Sequence, residues 1–289
     1  MKKSLRWAVP VAALGIAGFG LALPSAASAS APPPAAATYQ ATLSPVALNT
    51  PSGAASGQFT LTLNGDQATV SEQVSGLAST LPTDTKTLSA LGIPAAFAGK
   101  PFPHVQHIHI NGGDACPTSS ADTNGNGAIS IPEGLPAYGP IGTTLSTSGT
   151  TAASAGDDVT VAPGGGSFTY QRTFTLNQAT LTAIKDNKAV IVVHGLNPAN
   201  APKASLTTPN SDGVTLPGAS KKVALIATAP ALCGVLSASQ MSAVPVGSSP
   251  TGGGSTAGLE DGALFGVGGG LILAAAGMFT VRRRYARQS

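Results

Sequence analysis

Apolar and polar residues alternate along much of the chain between residues 38 and 236, a period of two typical of β-strands with one buried face. Gly, Pro, Asn and Asp separate the alternating or β-branched runs, and Asn64-Gly65-Asp66 predicts a hairpin turn. We therefore expect an all-β domain, an antiparallel β-sandwich with long loops. The predicted strands are Tyr39–Leu43, Gln58–Leu63, Gln67–Val74, Val105–Ile110, Asp158–Val161, Phe168–Leu176, Ala189–His194 and Lys222–Ala229.

Helical periodicity is sparse in the same region. Leu176–Lys185 predicts about two helical turns, with Asn177 as the N-cap. Ser79–Lys100 and Pro132–Ser154 follow neither period, so we expect two long loops there. Loops of that length in a compact domain usually have a function or a restraint.

An unbroken apolar run replaces the alternation near the N-terminus. Lys2, Lys3 and Arg6 precede apolar residues 7–23, and small residues end at 27–29 in Ala-Ser-Ala. This order predicts an export signal peptide over residues 1–29, with cleavage after Ala29. The alternative is an uncleaved anchor helix, which Pro10 and several glycines disfavour. The mature chain is expected outside the cytoplasm.

A second apolar run, residues 262–281, has the length that a helix needs to cross a bilayer. Four arginines follow within residues 282–289, which predicts a cytoplasmic basic tail. We therefore expect a single-pass protein of the cell membrane with an extracellular domain, whose membrane contact is this helix. A cell-wall sorting signal ends in the same way, although its Leu-Pro-x-Thr-Gly motif is absent and residues 245–252 are only a loose variant.

The remaining segments are low in apolar periodicity. Residues 30–37 are a Pro/Ala spacer and residues 237–261 a Gly/Ser/Pro linker, so one domain is expected over residues 38–236. The formal charge of +3 arises at the two ends, because seven of the fifteen Lys and Arg lie there. The domain itself is slightly acidic and has no basic stripe, which argues against a nucleic-acid partner.

Histidine is rare, with four residues in the chain, and three of them stand in strand contexts. His107 and His109 flank Ile108 on one predicted strand, so both imidazoles point to the same face, and His194 ends another strand. Three neutral imidazoles with an open position suit copper or zinc, and copper is our candidate. The alternative is a set of hydrogen-bonded histidines at a sheet edge. His104 falls on the opposite strand face.

The two cysteines, Cys116 and Cys233, fit an exported protein with one structural disulfide. Their bond would tie the loop after the His-x-His strand to the end of the domain. Two thiolate metal ligands are the alternative, but neither cysteine has a C-x-x-C neighbour.

A calcium-loop pattern follows Cys116. Residues 122–133 match D-x-[DN]-x-[DN]-G-x5-E at every position, with Gly127 at the sharp turn. Only two of the ligands are charged, so the affinity is expected in the extracellular range, roughly 10⁻⁴ to 10⁻³ M. The alternative is an Asn/Gly turn that fits by chance. The candidate calcium ligands are Asp122, Asn124, Asn126, Ala128, Ser130 and Glu133.

The order of several motifs resembles the CHRD (chordin-type) domain family. The resemblance rests on Gln40-Ala-Thr-Leu-Ser, on residues 57–66 (Gly-Gln-Phe-Thr-Leu-Thr-Leu-Asn-Gly-Asp), on Val74-Ser-Gly-Leu and on His107-Ile-His. It implies an exported surface domain of bacterial type, and it implies no catalysis.

Other residues resemble copper/zinc superoxide dismutase, itself an antiparallel sandwich. The resemblance implies that His107, His109 and His194 are copper ligands and that Cys116 pairs with Cys233. The bridging histidine and the zinc ligands of that family are missing, and no substrate-guiding arginine precedes Cys233.

Two functions are therefore expected from different classes. The first is a non-enzymatic, membrane-anchored surface module with an extracellular protein or cell-wall partner, stabilised by calcium. The alternative is a copper-binding redox protein of the superoxide dismutase type.

Overall fold

The computed structural model describes residues 36–50, 55–209 and 214–239. The predicted signal peptide, membrane helix and basic tail lie outside these residues, as do nearly all of the spacer and of the linker. Within the three described ranges, no helix is both long and apolar enough to span a membrane.

Eight antiparallel strands form one sheet in the spatial order β5-β4-β7-β8-β1-β2-β3-β6. Six of them coincide with predicted strands, and Gly65, at a φ of 65°, makes the tight turn between the second and third. The strands are β1 (Ala37–Pro45), β2 (Ser56–Asn64), β3 (Gln67–Ser75), β4 (Gln106–His109), β5 (Ile141–Thr144), β6 (Ser167–Thr175), β7 (Ala189–His194) and β8 (Pro230–Ala238).

The sheet curls around its apolar face, because side chains from both ends of the strand order meet in one core. Ile108 of β4 and Ile191 of β7 belong to the same buried cluster as Val70 of β3 and Tyr170 of β6. The prediction of an antiparallel, predominantly β domain is confirmed, with the strands in one curled sheet. The two halves of the sheet are joined by pairing between β1 and β8.

The outer face of the sheet is covered over one half only. Over β4, β7 and β8, a second buried cluster packs Val190 and Val192 of β7 against Ile129 and Tyr138 from the segment after β4. Every residue of β7 is consequently buried, on both faces of the strand. Over β1, β2, β3 and β6, alternate residues remain exposed or half-buried.

Within the described residues, five α-helices lie between the strands. They are α1 (Thr85–Ala90), α2 (Ile131–Tyr138), α3 (Gln178–Lys185), α4 (Lys203–Thr207) and α5 (Leu225–Thr228). The prediction for α3 is confirmed, including its cap: the Asn177 side chain accepts a hydrogen bond from the Thr180 N–H at 2.9 Å.

Four local predictions are wrong. Lys222–Ala229 is not a strand, because Leu225–Thr228 coils into α5 and the last strand begins at Pro230. Asp158–Val161 is a 3₁₀ turn capped by the Asp158 carboxylate. The expected loop Ser79–Lys100 contains α1, and Pro132–Ser154 contains most of α2 and all of β5. In α2, Pro132 occupies an early helical position, where the missing N–H costs no helical bond.

Candidate metal centre

His107, His109 and His194 meet on the covered half of the outer face. His107 pairs with Val192 and His109 with Val190, so both imidazoles project on the face opposite to Ile108. His194 follows on the same face of β7, two residues beyond Val192. The prediction that these three histidines share one face is confirmed.

Each imidazole uses one ring nitrogen to contact a backbone carbonyl. His107 Nε2 lies 3.1 Å from the Gly156 oxygen, His109 Nδ1 lies 2.7 Å from the Gly139 oxygen, and His194 Nδ1 lies 2.7 Å from the Thr228 oxygen. A carbonyl can only accept, so each of these nitrogens carries the proton. The three contacts thereby fix both the tautomer and the orientation of each ring, as second-sphere groups do in metal sites.

The remaining nitrogens are buried lone pairs without a hydrogen-bond partner. They are His107 Nδ1, His109 Nε2 and His194 Nε2. The three rings offer ligand atoms that lie within 4.8 Å of one another. A trigonal ion with metal–nitrogen distances of about 2.0–2.1 Å would need these atoms about 3.5 Å apart. Binding an ion would therefore draw the ligand atoms closer together than the 4.8 Å limit.

Burial keeps the cluster neutral. Burial lowers the pKa of His107 well below its usual value, and the neighbouring His194 and His109 lower it further. For the same first reason, the pKa of His109 falls to about 3 and that of His194 to about 4. Three neutral imidazoles at ordinary pH are the protonation state that a metal ion requires.

The cluster is closed to solvent, with exposed fractions of 3%, 2% and 1% for His107, His109 and His194. Tyr138 packs against His109 with 4.6 Å between ring centroids. A Cβ on Gly139 would collide with the Ile110 carbonyl oxygen, and one on Gly156 would lie 3.3 Å from His107 Nε2. The chain thus approaches the imidazoles closely where it has no side chain.

His104 is not part of the cluster. Its Nδ1 lies 2.8 Å from the His194 oxygen and its Nε2 lies 3.0 Å from the Ala78 oxygen. Its ring stacks with Phe102, at 5.0 Å between centroids, and with Phe168. His104 precedes β4, and its ring lies apart from the three clustered imidazoles.

Cys116 and Cys233 form a disulfide with 5.7 Å between their Cα atoms, as predicted. Cys233 pairs with Val192 across β7 and β8, so the bond lies on the same sheet face as the histidines. It anchors the segment that carries Tyr138 over the site. The alternative of two thiolate ligands is thereby excluded.

The predicted calcium loop runs from the 3₁₀ turn Ser119–Ala121 into α2. The Asp122 carboxylate accepts from the N–H groups of Asn126 and Gly127, and Glu133 accepts from those of Asn124 and Ser130. These bonds fold the oxygen-bearing side chains back onto the loop. Burial raises the pKa of Glu133, but the hydrogen bonds outweigh it and the net pKa is lowered. Calcium binding there stays a prediction.

The carbonyls of Gly139, Gly156 and Thr228 could not be found from the sequence. A backbone oxygen is present at every residue, so no residue type identifies the ones that orient a ring. The only signal is indirect: Gly139 and Gly156 are small where the backbone must pass close to other groups.

Comparison with known proteins returned neither a matching protein family nor a matching curated protein.

Proposed function

We propose that this chain is an exported surface domain that binds one copper ion through His107, His109 and His194. One observation carries the proposal: three buried imidazoles, each with one nitrogen that lacks a hydrogen-bond partner, offer ligand atoms within 4.8 Å of one another. Buried polar atoms normally have partners, because leaving one unpaired costs about 1–3 kcal/mol. A bound ion would satisfy all three at once.

The donor set favours copper. Imidazole suits copper, zinc, nickel and iron, and among divalent ions copper binds nitrogen sites most tightly. Calcium and magnesium take oxygen ligands, which this cluster does not offer. Zinc remains the natural competitor.

Charge favours the monovalent form of the ion. The ligands are neutral, and within the described part of the chain no carboxylate raises the pKa of any of the three imidazoles. The desolvation cost of an ion grows with the square of its charge, so a buried Cu⁺ is less costly here than a buried divalent ion. Three-coordinate Cu⁺ is therefore the proposed resident species.

A non-enzymatic role fits the closed site, since a substrate would have to displace packed side chains to reach the ion. The second candidate is a redox protein of the superoxide dismutase type, supported by the disulfide and the three histidines on one sheet face. The missing guiding arginine argues that such activity would be weak, because electrostatic steering raises encounter rates by tenfold or more.

The cellular setting is proposed from the sequence. An export signal over residues 1–29 and a membrane helix over residues 262–281 would hold a CHRD-type β-sandwich outside the cell, tethered by the linker. Calcium at residues 122–133 would order the segment that covers the metal centre.

Copper binding is tested on the full-length protein by metal analysis after reconstitution with Cu⁺ under reducing conditions. We expect one copper per chain, and a rise in the free energy of unfolding of about 2.7 kcal/mol when free copper is 100 times Kd. His109→Gln should lose the ion, because two imidazoles remain.

His104→Gln is the matched control. It removes the one histidine outside the cluster, whose ring nitrogens contact the backbone carbonyls of His194 and Ala78 and no ligand nitrogen, so the copper content should stay at one per chain. Equal copper content in native protein and His109→Gln would contradict the proposal.

A further inference from the structure

The uncovered half of the outer sheet face has a uniform chemistry. Every second residue over 38–44, 56–64, 67–75 and 167–175 points away from the core, and each is Ser, Thr, Gln or Asn. We call this surface the neutral face. It spans four neighbouring strands, β1, β2, β3 and β6.

The register aligns these side chains in rows across the strands. Gln40 stands opposite Thr60, Thr60 opposite Ser71, and Ser71 opposite Gln171. No register shift interrupts the β2–β3 or β3–β6 pairing, so hydroxyl and amide groups repeat at the strand spacing of about 4.7–4.9 Å. The result is an ordered array of hydrogen-bonding groups.

Charge is absent from this array. The charged residues within these four strands, Glu72 and Arg172, are at inward positions. Charged side chains, especially Lys, commonly protect the edge strand of a sheet from association, yet β6 at this edge presents none on the neutral face. Here the polar groups are all neutral, so the neutral face has no electrostatic preference for an anionic or a cationic partner.

The Ser and Thr side chains of the face, unlike its glutamines, are also short or stiff. Ser and Thr lose little rotamer freedom when they are held, and Thr has a restricted χ1. Some already bond to one another, since Thr69 Oγ1 lies 3.0 Å from Thr173 Oγ1 and Gln67 donates to Thr175 Oγ1 at 2.9 Å. A ligand that hydrogen-bonds to this surface finds its partners largely in place.

We propose that the neutral face binds an uncharged polysaccharide. Such a polymer presents repeating hydroxyl groups that both donate and accept, as the Ser, Thr, Gln and Asn side chains of the face do. Each contact is weak, and repetition along the polymer supplies the affinity. An uncharged protein surface thus meets an uncharged polymer. This binding does not depend on the three-histidine cluster.

The strand ends offer a place where one sugar unit would sit. A shallow depression of about 520 Å³ lies there, between Gln58, Gln73 and Thr169. Gln58 and Gln73 are direct cross-strand partners, and Gln73 stands opposite Thr169. Two primary amides and a hydroxyl thus line one depression, together with Val74 and Phe168.

The proposal is tested by affinity electrophoresis of the full-length protein. The gels contain dextran, an uncharged cellulose derivative, mannan or soluble chitin. We expect retardation by at least one neutral glycan, equal at about 0.1 M and about 1 M salt because no charges are involved. The double variant Gln58→Glu/Gln73→Lys should weaken retention at least tenfold. Its opposite charges face each other across the strands, so the sheet should stay folded.

The matched control converts a Gln/Thr pair to the same charges away from the neutral face. Gln178 donates to Thr182 on the exposed side of α3, and Gln178→Glu/Thr182→Lys should leave retention unchanged. Absence of retardation by every neutral glycan, or undiminished retention of the Gln58→Glu/Gln73→Lys variant, would overturn the proposal. So would retention by heparin or polylysine alone, or a dimer in sedimentation that this variant abolishes.

Discussion

At the scale of single residues, the structure places several ionisable groups where water cannot reach them. The three clustered histidines are neutral because burial and mutual repulsion oppose a positive charge. Glu72 points into the core, and burial raises its pKa to about 8, against a smaller opposing effect of Gln106. No hydrogen bond of normal geometry satisfies either Glu72 oxygen. These groups make the stability of the fold depend on pH in two directions.

On the acid side, the metal-free protein should lose stability as the pH falls below about 6.5. The unfolded chain protonates its histidines near that pH, whereas folded His109 and His194 stay neutral down to about 3 and about 4. Their stabilisation is present above the unfolded pKa and is lost as the pH falls through the folded pKa values, at about 1.4 kcal/mol per pH unit for each group. Urea unfolding at about pH 7 and about pH 5 measures it. If the free energy of unfolding of His109→Gln changed with pH as steeply as that of the native protein, this assignment would be contradicted.

On the alkaline side, Glu72 acts with the opposite sign. Its folded pKa lies above the unfolded value of 4.5, so its contribution is complete below about pH 4.5 and is lost as the pH rises through about 8. Glu72→Gln removes this titration. As the pH rises over that window, the free energy of unfolding of the variant should therefore increase relative to that of the native protein. A stability difference that does not change with pH would contradict this account.

At the scale of elements, the predicted calcium loop and α2 form one continuous unit. Glu133 belongs to both: it accepts from Ser130 at the helix start, and it occupies the twelfth position of the loop pattern. A cation bound there would hold the entry to the helix that carries Tyr138 to the metal centre.

Millimolar calcium should therefore stabilise the protein by roughly 1–2 kcal/mol if its Kd is submillimolar. Thermal unfolding with and without calcium measures the shift, and Glu133→Gln should abolish it. Asp158→Asn removes another turn-capping carboxylate, and this variant should keep the stabilisation by calcium. No shift with calcium in the native protein would argue for an Asn/Gly turn alone.

Strands could be predicted where apolar and polar residues alternate strongly, as in β2 and β3. There, one of every two consecutive residues is buried and the other is more exposed. The prediction failed near Lys222–Ala229, where β-branched and small residues suit either structure and contacts made by distant residues decide. In α2, Pro132 and Pro136 argue against a helix in isolation, yet the capping box of Ser130 and Glu133 starts one.

At the scale of the whole molecule, the disulfide joins two distant parts of the chain on the face that carries the three-histidine cluster. Cys116 and Cys233 are separated by 117 residues. Cys116→Ser/Cys233→Ser should lower the free energy of unfolding by up to about 4–5 kcal/mol, through the added entropy of the open chain. Equal stability of this variant and the native protein in urea would contradict that role.

The site itself was only half accessible to sequence reasoning. The period of two places His107 beside His109, and the strand context of His194 suggests a third ligand. What brings His194 to the other two is the pairing of β4 with β7, between strands about 80 residues apart, and this depends on the whole sheet. The neutral face has the same origin, since its uniformity emerges only when four strands are aligned.

The central claim, one copper ion held by three imidazoles, is tested most directly by anomalous diffraction from crystals of the copper-loaded protein, on both sides of the copper absorption edge. Copper held by the cluster should give a single peak about 2 Å from His107 Nδ1, His109 Nε2 and His194 Nε2, with their other nitrogens still on the carbonyls of Gly156, Gly139 and Thr228. A copper peak elsewhere in the chain, or none between the three rings, would contradict it.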